Sequence, residues 1–95
     1  MNVQVTQTRQ FKKIKKKLKP NQIRDLDLAI QAIVKDPELG EQKKGDLAGV
    51  WVHKFSMTGQ LTLLAYEWDE VSRTLLFLGV HENFYRDLKR MRKIF

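Results

Sequence analysis

The sequence predicts an α+β fold in the order β-α-α-β-β-β-α: a small, twisted, antiparallel-rich sheet with an N-terminal helical hairpin and a C-terminal helix, the helices packed on one face. Three observations predict it. Two apolar stripes at helical spacing, with Pro20 between them, fill the first third of the chain. Three segments rich in β-formers follow, separated by short turns. The chain then closes in a basic stretch that again has helical spacing. Its 95 residues make one domain, 1–95, with room for one modest core.

Each element has its own signal. Val3 and Val5 alternate with polar neighbours, a short strand. Thr8 is placed to cap a helix whose apolar positions are Phe11, Ile14 and Leu18. Pro20 is expected to end that helix, because the residue before a proline avoids the helical region. Asn21 is expected to cap the second helix, which carries Ile23, Leu26, Ile30, Ile33 and Val34 as one stripe and stops at Asp36-Pro37. Two helices with so tight a joint form an αα-hairpin. Residues 37–46 are polar, contain Gly40 and Gly45, and are expected to be a loop. The three strands are Ala48 to Ser56, Leu61 to Trp68 and Arg73 to Val80, with turns at Thr58-Gly59 and Asp69 to Ser72. The last strand is nearly continuous in apolar residues, and a helix is expected from about Glu82.

Composition narrows the function. There is no cysteine, which excludes disulfides, zinc-thiolate sites and thiol catalysis. The first residues lack the apolar core of a signal peptide, and no apolar run reaches the roughly 18 residues of a membrane span. A cytoplasmic protein with no membrane partner is the expectation. The net charge is +7. Eight cations and no acid lie between Arg9 and Arg24, and five cations against one acid lie between Arg86 and Lys93. Such fields attract polyanions by counterion release. They also serve simply as solvated helix faces.

The residues with chemical potential gather after the last strand. His81 and Tyr85 are four apart and share a helix face, which Lys89 continues; Arg86 and Arg90 form a neighbouring pair. Metal-free RNA cleavage needs a base for the 2′-hydroxyl, an acid for the leaving 5′-oxygen and cations for the phosphorane. His, Tyr, Lys and Arg can fill those posts. The structural alternative is that Phe84, Leu88 and Tyr85 only anchor a helix, and that Glu82 only pairs with Arg86. In the segment Val50 to Phe55, alternation puts Val50, Val52 and Lys54 on one face and Trp51, His53 and Phe55 on the other. Lys54 either snorkels or points into a basic concavity. His53 is a weaker candidate, set among aromatic neighbours. Lys12, Lys13, Lys15, Lys16 and Lys17 form a phosphate rail without sequence preference, or a solvated surface. No carboxylate–histidine spacing argues for a metal, and no glycine-rich phosphate loop or nucleophile elbow is present.

The element order, the segment Gly45-Asp46-Leu47-Ala48-Gly49-Val50-Trp51 and the ending Gly79-Val80-His81-Glu82-Asn83-Phe84-Tyr85 together resemble the RelE/ParE superfamily of toxins from bacterial type II toxin–antitoxin modules. The RelE/StbE-like branch is the nearest. The resemblance covers nearly the whole chain. It implies a microbial-RNase-like sheet and a ribosome-dependent endoribonuclease that enters the A site of the small ribosomal subunit, where it cuts mRNA without a cofactor. It implies a cognate antitoxin that masks the site, and binding of operator DNA by the toxin–antitoxin complex through that antitoxin. By position, His81 matches the histidine that YafQ-like members use near the end of the last strand. Tyr85 matches the aromatic after it, and Lys54 falls in the strand of the catalytic lysines. His53, Arg86, Lys89, Arg90 and the helix lysines would then grip RNA. RelE itself carries one arginine in the strand after the turn, where this chain reads Gly59-Gln60-Leu61-Thr62-Leu63, and another near His81. The chemistry implied here therefore falls on His81, Tyr85 and flanking cations. The alternative within the superfamily is a ParE-like inhibitor of DNA gyrase that cuts nothing.

Overall fold

A computed structural model describes residues 3–93, with the side chains of His81, Arg92 and Lys93 outside the described set. The chain runs β1 (Gln4–Gln7), α1 (Arg9–Lys16), α2 (Pro20–Lys35), β2 (Glu41–Gln42), β3 (Trp51–Met57), β4 (Gln60–Trp68), β5 (Ser72–Val80) and α3 (His81–Lys93). Short 3-10 turns at Pro37–Leu39 and Gly45–Leu47 flank β2. The five strands form one sheet in the order β1-β5-β4-β3-β2. Among the described residues, only the β1–β5 pairing is parallel. No helix among the described residues is long and apolar enough to cross a membrane.

The helical hairpin forms as its stripes require, with one change at the joint. The Thr8 hydroxyl accepts from the Phe11 amide at 3.1 Å and donates to the Leu76 carbonyl at 2.8 Å, capping α1 and tying it to β5. α1 ends at Lys16, before Pro20 can interrupt it. Pro20 instead opens α2 at the first helical position, where its missing N–H costs nothing. The cap is Lys19 in extended conformation, as a residue before proline should be, and not Asn21. The Lys19 amide donates to the Gln22 side chain at 2.9 Å.

The helices do not share one face. Phe11, Leu26 and Ile33 of the hairpin pack on Met57, Leu64, Tyr66, Leu75 and Leu78. Phe84, Leu88 and Met91 of α3 pack on Val50, Val52, Leu63, Ala65 and Leu76, on the opposite side. The sheet is therefore a middle layer. This accounts for the near-continuous apolar run in β5, since a strand covered on both faces has no polar side. A bulge at Ala65/Tyr66 leaves Leu76 as an extra β5 residue and lets Leu76 and Phe77 both face α3.

Two connections are held by single side chains. Arg73, 5% exposed, donates to the carbonyls of Ile33 at 3.2 Å and Val34 at 3.1 Å, and to those of Asp69 at 2.6 Å and Ser72 at 2.9 Å. It thus satisfies the C-terminal carbonyls of α2 with a cation. The β3–β4 turn places Thr58 at φ 50° and Gly59 at φ 82°, the left-handed pair of a type I′ hairpin. The Thr58 amide donates to Asp25 of α2 at 2.7 Å.

Candidate active site

β5 runs into α3 without a loop: Val80 ends one and His81 opens the other. Strand register puts Lys54 of β3, Leu63 of β4 and Gly79 of β5 in one row, two residues from the start of α3. Lys54 therefore shares its end of the sheet with the first turn of α3. Along β3, Val50 and Val52 are buried on the α3 face, and at Lys54 that cover ends and the side chain is exposed. The sequence-based choice between a snorkelling and a site-facing Lys54 thus resolves to a cation on the open rim of the α3 face.

The expected loop at 37–46 contributes β2, and with it two residues not foreseen in the sequence. Glu41 pairs with Val52, so its side chain lies on the α3 face, diagonal to Lys54. The Lys43 amide donates to the Val50 carbonyl at 2.9 Å and continues this strap beside β3. Lys43 Nζ lies 3.0 Å from the Glu41 carboxylate and 4.9 Å from the centroid of the Tyr85 ring. Tyr85 is half-buried and meets Phe84 in a T-shaped contact, with centroids 5.2 Å apart. Burial works against the Lys43 charge, yet contact with the Tyr85 phenol and the Glu41 carboxylate outweighs it and holds the lysine above its ordinary pKa. The hydrogen bond from Lys43, and then its charge, hold the Glu41 carboxyl below its usual range, with Lys54 acting in the same direction. Lys54, Glu41, Lys43 and Tyr85 so form one line of alternating charge ending in a phenol.

The strap is fixed from beneath. The Tyr66 hydroxyl, on a fully buried ring, donates to the Pro37 carbonyl at 2.6 Å and accepts from the Gly40 amide at 3.0 Å. A Cβ on Gly40 would stand 2.7 Å from that hydroxyl and 2.9 Å from the Val52 carbonyl. Only glycine lets the backbone pass so close.

The other expected residues divide between the two faces. His81 is the first residue of α3, and its side chain lies outside the described residues. Arg86, Lys89 and Arg90 are exposed along α3, and Arg86 Nε lies 3.4 Å from Asp87. His53 points to the hairpin face, half-buried and stacked on Phe55 with centroids 6.0 Å apart. Burial holds its pKa below 6.5. It is thus separated from Lys54 by the alternation of β3. Lys12, Lys13 and Lys16 are exposed on α1, and Lys15 is half-buried 3.9 Å from Asp27. α1 packs on the face opposite α3, so its lysines do not converge on Tyr85. Glu41 and Lys43 were invisible in the sequence because a two-residue strand has no period. The register of that strand is what brings them in.

Clefts open at both edges of the sheet. One, of about 280 Å³, runs along the outer edge of β3 and is lined by Gly40, Glu41, Val52, His53 and Lys54. The other, of about 350 Å³, lies between α1 and α3 at the β5 edge, and its lining includes Asp87 and, among the described residues, no cation. The first sets the Lys54 ammonium beside the Glu41 carboxylate, and the second presents the Asp87 carboxylate.

A family model described as the ParE-like toxin of type II bacterial toxin–antitoxin systems matches residues 5–89. An arginine double mutant of E. coli toxin RelE in the free state superposes with TM-score 0.74 at 14% identity, covering 100% of both chains. The intact E. coli RelBE toxin–antitoxin complex contains a chain that superposes with TM-score 0.67 at 15% identity, covering 84% of this chain and 98% of that one. A YoeB/ParE toxin from Agrobacterium tumefaciens gives TM-score 0.65 at 17% identity, covering 83% and 99%. No curated protein matches this chain. At these identities the solved structures show a shared fold.

Proposed function

Because the chain belongs to the ParE-like toxins of type II bacterial toxin–antitoxin systems, we propose that it is a ribosome-dependent mRNA endoribonuclease, held in check by a cognate antitoxin. The observation that carries this reading is the line on the α3 face that runs from Lys54 through Glu41 to Lys43 and the Tyr85 ring. Cations and a phenol along one face of the sheet suit an anion in transit between charge states. In this reading the 2′-hydroxyl of the message attacks the adjacent phosphorus and loses its proton to a base. The bond to the 5′-oxygen breaks, and that oxygen takes a proton from an acid. The products are a 2′,3′-cyclic phosphate and a 5′-hydroxyl. His81 is assigned the principal acid/base role and Tyr85 the second. Lys54, Arg86, Lys89 and Arg90 hold the scissile phosphate. Lys12, Lys13, Lys15 and Lys16 hold ribosomal RNA from the other side.

The antitoxin is the partner named with E. coli RelE in the RelBE complex, and here it would cover the α3 face and carry any operator binding. The gyrase-inhibitor reading has one observation in its favour: Leu61, 51% exposed, lies on the same face as Leu63 and offers an apolar contact of the kind proteins use. Mapping mRNA 5′ ends in cells after induction separates the two. New ends within translated messages are expected, together with early loss of protein synthesis, and a His81→Ala variant that stays folded should lose both. DNA damage with intact messages and continuing translation would replace this reading with gyrase inhibition.

A further inference from the structure

We propose that the cleft along the outer edge of β3 is a guanine subsite, seating the base next to the phosphate that Lys54 holds and so giving the cut a base preference. The inference rests on the nuclease reading above and deepens it. The cleft, of about 280 Å³, has room for one nucleobase. Its charges, the Lys54 ammonium and the Glu41 carboxylate, offset each other. That suits an uncharged ligand which both gives and takes hydrogen bonds. Leu39, 47% exposed, adds an apolar wall of the kind that covers a ring face.

The strand supplies the first polar contact. The Val50 carbonyl accepts from the Lys43 amide, so it points away from β4 toward the strap. Backbone groups alternate along a strand, and β3 keeps an unbroken register with β4 from Trp51 to Met57. Val52 and Lys54 therefore turn their N–H and C=O outward as well. β2 covers Val52, with Glu41 opposite, and stops there. Among the described residues no strand stands opposite Lys54, and its N–H and C=O face the cleft. Glu41 then selects the base. Its side chain is 65% exposed, and only Oε1 lies against Lys43, at 3.0 Å. Each carboxylate oxygen has two acceptor sites, so Oε1 can hold Lys43 and still accept from a ligand beside Oε2. Guanine offers two neighbouring donors, N1–H and N2–H, next to an acceptor, O6. The carboxylate takes the two donors side by side, and the Lys54 amide donates to O6. Adenine and cytosine put a lone pair where guanine has N1–H, and uracil has one donor between two acceptors.

The test uses programmed ribosomes with an empty A site and messages in which each base beside the cut is varied in turn. At one of these positions kcat/KM should be about 10- to 100-fold higher for G than for U, the effect of one charge-assisted hydrogen bond. Glu41→Gln should lower kcat/KM by about that factor for G and far less for U, so that the preference collapses. Leu39→Ser strips the apolar wall and spares the hydrogen bonds. It should weaken all four bases several-fold and keep the preference for G. A second readout needs no cleavage: the protein alone is titrated with guanosine or uridine monophosphate and followed by amide NMR. The Lys54 amide should shift with the first and not the second, and Glu41→Gln should lose the response. Wild-type rates that ignore the base overturn the inference. So does a Glu41→Gln loss that is equal for all four bases, which would place Glu41 in the chemistry, and so do equal Lys54 shifts with both nucleotides. A wild-type protein that leaves every message intact strikes instead at the nuclease reading. The titration then decides the cleft alone: a guanine-selective shift keeps it as a base site, and the lack of one removes it as well.

Discussion

Replacing Gly40 by alanine tests whether the strap that carries Glu41 and Lys43 is seated as described. The new methyl would begin 2.7 Å from the Tyr66 hydroxyl and 2.9 Å from the Val52 carbonyl, both about 0.5–1 Å inside ordinary contact. The strap must move outward by that amount. The two hydrogen bonds at the Tyr66 hydroxyl, at 2.6 Å and 3.0 Å, then break or stretch. Each is worth about 1 kcal/mol, and leaving the phenol without partners adds about another 1 kcal/mol. Loss of glycine freedom in the unfolded chain returns about 0.5–1 kcal/mol. The net destabilisation is about 2 kcal/mol, a fall in Tm of about 8–16 °C for a domain of this size. Urea and thermal unfolding followed by circular dichroism measure it. The same substitution in Tyr66→Phe should cost less but still register, since the Val52 carbonyl remains in the way. A Gly40→Ala protein within about 0.5 kcal/mol of wild type would refute the reasoning, as would a cost that is undiminished in Tyr66→Phe.

Arg73→Met should cost about 3 kcal/mol in urea unfolding, because four carbonyls lose a charged donor at once, and Arg73→Lys should recover only part of that because a lysine lacks the guanidinium fork. Thr58→Asn should raise stability by about 1 kcal/mol in the same assay, since asparagine tolerates the left-handed φ of 50° better than a β-branched residue and keeps the amide that donates to Asp25. Because burial holds the His53 pKa below 6.5, the unfolded chain takes up the proton first as pH falls. Its contribution is therefore fully present above about pH 6.5 and is lost as pH drops through the lower folded value. Urea midpoints measured across pH 5 to 8 should fall less steeply in His53→Phe than in wild type. Replacing Lys12, Lys13 and Lys16 together by glutamine should weaken ribosome binding and flatten its salt dependence by about 2–3 in log–log slope, while kcat on bound message stays near wild type.

What the sequence disclosed about the fold was set by local periodicity. Phe11 and Leu26 are fully buried on their helices, Thr8 caps α1, and the meander turns at Thr58-Gly59, because each is decided within a few residues. What it hid depends on distance in space. β2 has two residues and pairs only because β3 offers an edge. Arg73 reads as an ordinary strand opener, yet its partners Ile33 and Val34 lie about forty residues earlier. The placement of α3 was legible in hindsight: Leu75 to Leu78 has no polar side, which one covered face cannot explain. Of the expected site residues, Lys54 and Tyr85 are linked through Glu41 and Lys43, whereas His53 is not on their face.

The location of the site follows from where cover ends. The middle of the sheet is closed on both sides, and Leu63, Leu64 and Ala65 in the central strand have no exposure at all. Polar chemistry can occur only at the ends of the strands or along an edge. At the end where β5 becomes α3, no loop intervenes, so the helix start is fixed relative to the strand beneath it. The Lys54–Leu63–Gly79 row is the last on β3 before that cover gives out. A cation in this row is exposed without the cost of desolvation, yet it sits on a backbone as rigid as the core. The strap then brings Lys43 to the flank of α3, where Tyr85 stands between core and solvent. Strand, strap and helix each supply one group, and each is anchored to a different part of the core. Loosening any one of them should displace its own group first, so substitutions at Gly40 and Tyr66 should move the strap that carries Lys43 and leave Lys54 in place.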